Sequence, residues 1–246
     1  MKFIKKIKYD IEELDFQKIV FEHFKKKNNE IEKNLSDIHN KIFFKNNVLH
    51  NVSELNSPIH KLKKNYFDVR KDQKNKFVRY FYKIDPIFNM TYKKKRIGPF
   101  YNLYLKLIKH LEKKIFKEKI IYQAKPTLRV HIPDNISVGS YHRDSDYGHP
   151  KEEINLWLPF NNSKKTSSLW LESEPNKGDF KAYNVKYGEL LIFDSRLHHG
   201  TEINKEKNTR LSMDFRVIKK KKYKKNLKTS PRLKIKFNIG GYFKES

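Results

Sequence analysis

The chain has 246 residues, with 55 Lys and Arg against 28 Asp and Glu, a formal charge of +27 and no cysteine. That length supports one sizeable core. The absence of thiols excludes disulfides, thiolate zinc sites, iron–sulfur clusters and cysteine nucleophiles together, so any metal must be held by His and carboxylates. The charge suits an anionic partner such as nucleic acid, a phosphorylated substrate or a lipid headgroup. Yet Lys dominates it, Ala occurs only at positions 124 and 182, and Asn, Ile, Phe and Tyr abound, so codon bias is the favoured explanation and nucleic acid the less favoured partner.

In chain order, the basic N-terminus MKFIKKIKYDIEELDF lacks the continuous apolar run of a secretory signal, and no stretch reaches the ~18 apolar residues of a membrane span, so a soluble cytoplasmic protein is expected. Residues 1–118 read mainly as helix and loop, with Ile11, Leu14, Ile19, Val20 and Phe24 at helical spacing. The clearest helix runs from Phe100 to Phe116, where Leu103, Leu105, Ile108, Leu111, Ile115 and Phe116 form an apolar stripe suited to packing on a sheet.

After Glu118 the period changes from helical to alternating. Strands are predicted at Ile121 to His131, Ser137 to Asp144, Ile154 to Phe160, Ser168 to Glu172, Phe180 to Asn184, Glu189 to Phe193 and Arg210 to Ile218. Many short strands without intervening helices indicate a mainly β, jelly-roll architecture. Residues 119–246 are then the core with a basic C-terminal extension, and 1–118 a helical decoration packed on it, in a single domain overall. The lysine run from Lys219 to Lys225 reads as a solvated segment, and Leu233, Ile235, Phe237 and Ile239 alternate with polar residues as a returning strand would.

The chemistry concentrates in two segments. In SYHRDSDYGH, His142 and Asp144 stand two apart, which on a strand puts both on one face. A second imidazole comes from FDSRLHHGTE, far along the chain, where closure of a jelly roll would bring it back. Two His and one carboxylate form the facial set of non-heme Fe(II) oxygenases, with positions left for a cosubstrate and O2. Of His198 and His199 the second is favoured, because Gly200 permits close backbone approach beside it. Asp146 and His149 are alternative ligands, or residues facing solvent or substrate.

In TRLSMDFRV one face carries Arg210, Ser212, Asp214 and Arg216, and the other Leu211, Met213, Phe215 and Val217. An amphipathic strand wetted on one side explains this alone; beside a metal set, the polar face reads as a pocket lining. Arg210 can clamp a carboxylate with two charge-assisted hydrogen bonds and Ser212 can add a third. Strand parity offers Arg129 with His131, and Asn155 with Trp157, as further inward residues. Asn155 is then a cofactor contact or a structural hydrogen bonder, and Arg129, Trp157 and Asp146 are candidates for touching substrate. The alternative for Arg129 is a structural ion pair with Asp214 or Glu172, and for Trp157 and Trp170 it is core packing.

LRVHIPDN, YHRDSDYGHPKEEINLWLPF, SSLWLESEPNKGDF, VKYGELLIFDSRLHHGTE and TRLSMDFRV together resemble the phytanoyl-CoA dioxygenase superfamily, and within it the oxygenase-like proteins of streptomycin biosynthesis. The resemblance spans residues 127–217. It implies a double-stranded β-helix of cupin-like type, with Fe(II), 2-oxoglutarate and O2 as cofactor and cosubstrates, His142, Asp144 and His199 as metal ligands, and Arg210 as the cosubstrate anchor. Asp144 stands where a related halogenase has a small residue, so hydroxylation, oxidation or desaturation is implied. The implied substrate is a small molecule, a sugar, aminocyclitol or glycan precursor, with phosphate suiting the basic surface. The alternatives are an oxygenase acting on nucleic acid or protein, and a non-catalytic metal-binding cupin module.

Overall fold

The computed structural model describes residues 4–27, 35–37, 98–131, 133, 141–230 and 234–246. The expected strand start at Ser137, the residue Leu233 and most of the expected N-terminal helical region lie outside the described residues. What is described is mainly β and antiparallel. Strands are β1 (Ile4–Lys8), β2 (Ile120–Gln123), β3 (Thr127–His131), β4 (Ile154–Pro159), β5 (Leu169–Leu171), β6 (Lys181–Tyr183), β7 (Glu189–Asp194), β8 (His199–Gly200), β9 (Arg210–Lys219) and β10 (Phe243–Glu245), with helices α1 (Phe16–Lys27) and α2 (Pro99–His110).

Strand β9 is the spine of the larger sheet, whose order is β1-β7-β4-β9-β2-β10. Along one edge β9 pairs with β4, from Ile154 opposite Val217 to Pro159 opposite Ser212. Along the other it pairs with β3, Arg129 opposite Ser212, and then with β2, Tyr122 opposite Val217. The sequence predicts one run from Ile121 to His131; the chain instead breaks into β2 and β3 around Lys125 and Pro126, where proline offers no ladder donor. A smaller sheet, β6-β5-β8, faces the first and is continued by a bridge between His142 and His199.

Alternation sorts the larger sheet into two interiors. Leu156, Leu158, Leu190, Ile192, Leu211, Met213, Phe215 and Val217 share one core with Phe16, Val20, Phe100, Tyr104, Leu107 and Leu111 of the helical layer. Burying each such side chain contributes about 1.5–3 kcal/mol. The predicted Phe100–Phe116 helix is thus present, as α2 followed by a π-turn at Leu111–Phe116, with Pro99 opening the first turn, where its missing N–H costs nothing. The opposite face sends Trp157, Leu191 and Phe193 against Leu169, Leu171, Val185 and Leu197.

Two ends of the chain depart from the sequence expectation. Ile4–Lys8, read as helix or loop, is an edge strand on β7. Its lysines blunt that edge, and Ile4 and Ile7 stand three apart, so no alternation advertises it. Near the C-terminus the strand is Phe243–Glu245, beside β2, and not the alternating stretch ending at Ile239. That stretch turns back at Gly240, which has φ +84, and at Gly241, where a Cβ would stand 2.6 Å from the Lys236 carbonyl oxygen. The lysine run is partly tied down, with Lys219 and Lys221 on Glu118 and Lys220 on Glu245. No helix among the described residues is long and apolar enough to cross a membrane.

Candidate metal centre and anion pocket

Between the two sheets lies a cavity, lined on its polar side by Arg129, His142, Asn155, His199, Arg210 and Arg216. His142 and His199 reach it from adjacent backbone segments, each donating its N–H to the other's carbonyl at 3.0 Å. Gly200 makes this possible for a reason other than the metal: a Cβ there would stand 3.2 Å from the Tyr141 Cα and 3.1 Å from its ring. Asp144 does not continue a strand as expected. It opens a short 3-10 turn, Asp144–Tyr147, which closes at Gly148 with φ +86.

The three side chains nevertheless converge. The Asp144 Oδ1 lies 3.8 Å from His142 Nε2 and 3.9 Å from His199 Nε2. Ligand atoms each about 2.1 Å from one ion are at most about 4.2 Å apart, so these distances suit a single divalent cation. His199 donates its Nδ1–H to the Leu197 carbonyl, 3.1 Å away, which fixes its ring and leaves Nε2 as the ligand atom. Burial, followed by His142, lowers the His199 pKa to about 4, so the imidazole is neutral and its lone pair available. Burial alone would raise the Asp144 carboxyl, but Arg216 first, and then the surrounding imidazoles, hold it well below the usual carboxylate range.

His198 takes another route. Its Nδ1 sits 2.9 Å from Glu172 Oε1, which also accepts its backbone N–H. Asp144, His149 and Glu153 form a second cluster of ligand-type atoms. His149 there is closed in by the Phe237 and Tyr242 rings, at 4.1 and 5.3 Å, and by the Glu153 carboxylate at 2.9 Å, and neither His149 nor Glu153 lines the cavity. Asp146 does not line it either; its side chain is 45% exposed and pairs with Arg143 at 3.2 Å.

In the same cavity β9 presents Arg210, buried to 2% exposure. It donates to Ser212 Oγ at 2.7 Å and to His131 Nδ1 at 3.1 Å, and its guanidinium lies 5.3 Å from the centre of the Trp157 ring. Its Nε finds no partner, and no carboxylate among the described residues is within ion-pair distance. Burial, with help from Arg129, lowers its pKa to about 9. Ser212 Oγ also accepts from Trp157 Nε1 at 3.2 Å, so its hydroxyl proton remains to be donated. Asn155 faces the same cavity with both amide atoms buried and unpartnered. A buried cation, a free hydroxyl proton and an unsatisfied amide are the signature of a place built for an anion that brings its own acceptors.

Arg129 is bound to Asp214, Nε to Oδ1 at 2.7 Å, and Asp214 in turn accepts from Arg216 at 2.7 Å. Arg216 then reaches Asp144. Sequence parity placed Arg216 on the pocket face without revealing this partner, which is 72 positions away.

No family model matches the chain. It is 34% identical over 127 residues to the streptomycin biosynthesis protein StrG of Streptomyces griseus, a match covering 51% of this chain and 60% of that protein. Among solved structures it is similar to AviO1 from Streptomyces viridochromogenes, with 17% identity, 52% of this chain and 64% of that one covered and a TM-score of 0.40. It is also similar to the epimerase SnoN in complex with Fe3+, alpha ketoglutarate and nogalamycin RO, with 13% identity, 48% and 59% covered and a TM-score of 0.38. The chain spans less than two thirds of each of these proteins, and the resemblance to streptomycin-biosynthesis proteins read from its motifs stands on the sequence match.

Proposed function

We propose that the chain is an Fe(II)- and 2-oxoglutarate-dependent oxygenase of a small molecule, with the two facing sheets as a double-stranded β-helix. The observation that carries this reading is that one cavity is lined by His142 and His199, which converge with Asp144, and by Arg210, a buried arginine with no carboxylate partner among the described residues. The donor set is all imidazole and carboxylate and has the composition of the facial triad that suits ferrous iron. When bound, the ferrous ion supplies activation of O2 coupled to oxidative decarboxylation of the keto acid.

The protein's own groups then have definite tasks. His142, Asp144 and His199 hold the metal. Arg210 and the Ser212 hydroxyl receive the far carboxylate of 2-oxoglutarate, and Trp157 fixes the Ser212 oxygen so that the hydroxyl proton points away from it. Asn155 offers its unpartnered amide to the same ligand. Phe193 and Leu169 supply apolar wall to the same cavity. Arg129, at the rim of the ion-pair ladder, is a candidate substrate contact; Trp157 serves the anchor, and Asp146 could meet only a substrate that extends beyond the cavity.

The similarity to a streptomycin biosynthesis protein supports a sugar, aminocyclitol or glycan precursor as substrate, and the presence of Asp144 supports hydroxylation, oxidation or desaturation. The test is succinate formation by protein loaded anaerobically with Fe(II) and then given 2-oxoglutarate and O2, with a screen of such substrates. Wild-type turnover lost in His142→Ala, and recovered in Arg210→Ala only at high cosubstrate, is the expected result. Failure to bind either Fe(II) or 2-oxoglutarate would overturn the reading.

A further inference from the structure

Asp144 presents its two oxygens to different partners. Oδ2 accepts from Arg216 Nε at 3.0 Å, whereas Oδ1 faces both ligand imidazoles and has only a longer contact, 3.3 Å, with Arg216 Nη2. The guanidinium is itself held: its Nη1 donates to Asp214 Oδ2 at 2.7 Å and to Gln123 Oε1 at 3.4 Å, and Asp214 is gripped from its far side by Arg129. Arg216, Asp214 and Asp144 are all buried or nearly so, and a buried fork of this kind keeps its geometry because every alternative orphans a charge.

We infer that Arg216 is a positioning residue that holds Oδ2 of Asp144 the more closely and turns Oδ1 toward both imidazoles, and so makes this carboxylate a one-oxygen ligand. The inference rests on the metal reading above. Its consequence lies in the number of open positions. An octahedral ion held by two imidazoles and one carboxylate oxygen keeps three positions, enough for a two-point chelator and one further ligand; a carboxylate chelating through both oxygens removes one of them. An arginine fork can impose this choice, because its planar donors fix the direction of the carboxylate; a lysine supplies the charge without the fork. Arg216 thus acts through Asp144, without touching substrate.

The experiment uses Co(II), whose visible bands report coordination number, on the full-length wild type, Arg216→Lys and Arg216→Gln, with anaerobic titration of 2-oxoglutarate and thermal melts of each. Both variants are expected to take up Co(II) with altered bands and to lose cosubstrate affinity by about tenfold or more, the usual size of an effect transmitted through a metal ligand. Arg216→Lys binding 2-oxoglutarate within about twofold of wild type would show that charge suffices and overturn the inference. Should neither variant fold, the infrared difference spectrum of wild type on Co(II) uptake, assigned with Asp144→Asn, decides: widely split Asp144 carboxylate stretches support one-oxygen ligation, and closely spaced ones overturn it. Wild type that takes up no Co(II) overturns both this inference and the oxygenase reading, whereas normal wild-type binding matched by both variants overturns this one alone.

Discussion

His198 and His199 are neighbours in sequence with opposite allegiances: His198 Nδ1 lies against Glu172 at 2.9 Å, and His199 Nε2 faces Asp144 at 3.9 Å on the cavity side. Strand alternation separates them, and the bridge to His142 decides which one points inward. His199→Ala is therefore expected to abolish binding of Co(II) or Mn(II) at micromolar metal, and His198→Ala to keep affinity within about tenfold of wild type. Metal titrations of both variants check this, and the reverse order would reassign the ligand.

Arg210 is the group for which stability and binding should move in opposite directions. It is a buried cation with an unpartnered Nε and no carboxylate partner among the described residues, its pKa lowered to about 9 by burial. Arg210→Met keeps volume and removes the charge, so the ligand-free protein should gain ~1–3 kcal/mol in urea unfolding, as other buried charges do when replaced by apolar groups. The same change should weaken 2-oxoglutarate binding about 30-fold or more, ~2 kcal/mol. A loss of stability with unchanged binding would assign Arg210 to the fold alone.

Gly200 tests the packing of the metal-bearing segments. A Cβ at this position would meet the Tyr141 Cα at 3.2 Å and ring at 3.1 Å, and Tyr141 is itself hydrogen-bonded to Glu202 at 2.6 Å. Gly200→Ala is expected to cost about 1–3 kcal/mol, the range for overpacking, and to loosen the metal site by separating the His142 and His199 segments. A melting curve with and without Co(II) measures both effects.

Acid sensitivity should trace to the ion-pair ladder. Burial works to raise the Asp214 carboxyl, but Arg129 and Arg216 outweigh it and leave the folded pKa below the ordinary value. A carboxylate depressed in this way contributes stability that is complete above its unfolded pKa of about 3.9 and is lost as pH falls through the lower folded value. Asp214→Asn should be less stable than wild type at pH 7, by ~3 kcal/mol because two arginines each lose one charged partner, and its stability should fall less steeply below about pH 4. Urea midpoints measured across that range compare the two slopes.

The sequence by itself determined the mainly β class of the core, most strand positions from β4 to β9, the α2 helix and the set of inward residues, because alternation along a paired strand leaves each side chain only two faces to occupy. Arg210 was legible as an inward residue for the same reason, whereas His142, Asp144 and His199 were singled out by the few residue types that can hold a metal, Asp144 lying on no strand. Only the tertiary structure decided that Asp144 enters on a 3-10 turn, that Ile4–Lys8 completes the sheet edge, that Phe237 closes over His149, and that Arg216 holds Asp144. These are contacts between segments distant in the chain, and the directions of charge and hydrogen bonding among them exist only once the two sheets have closed.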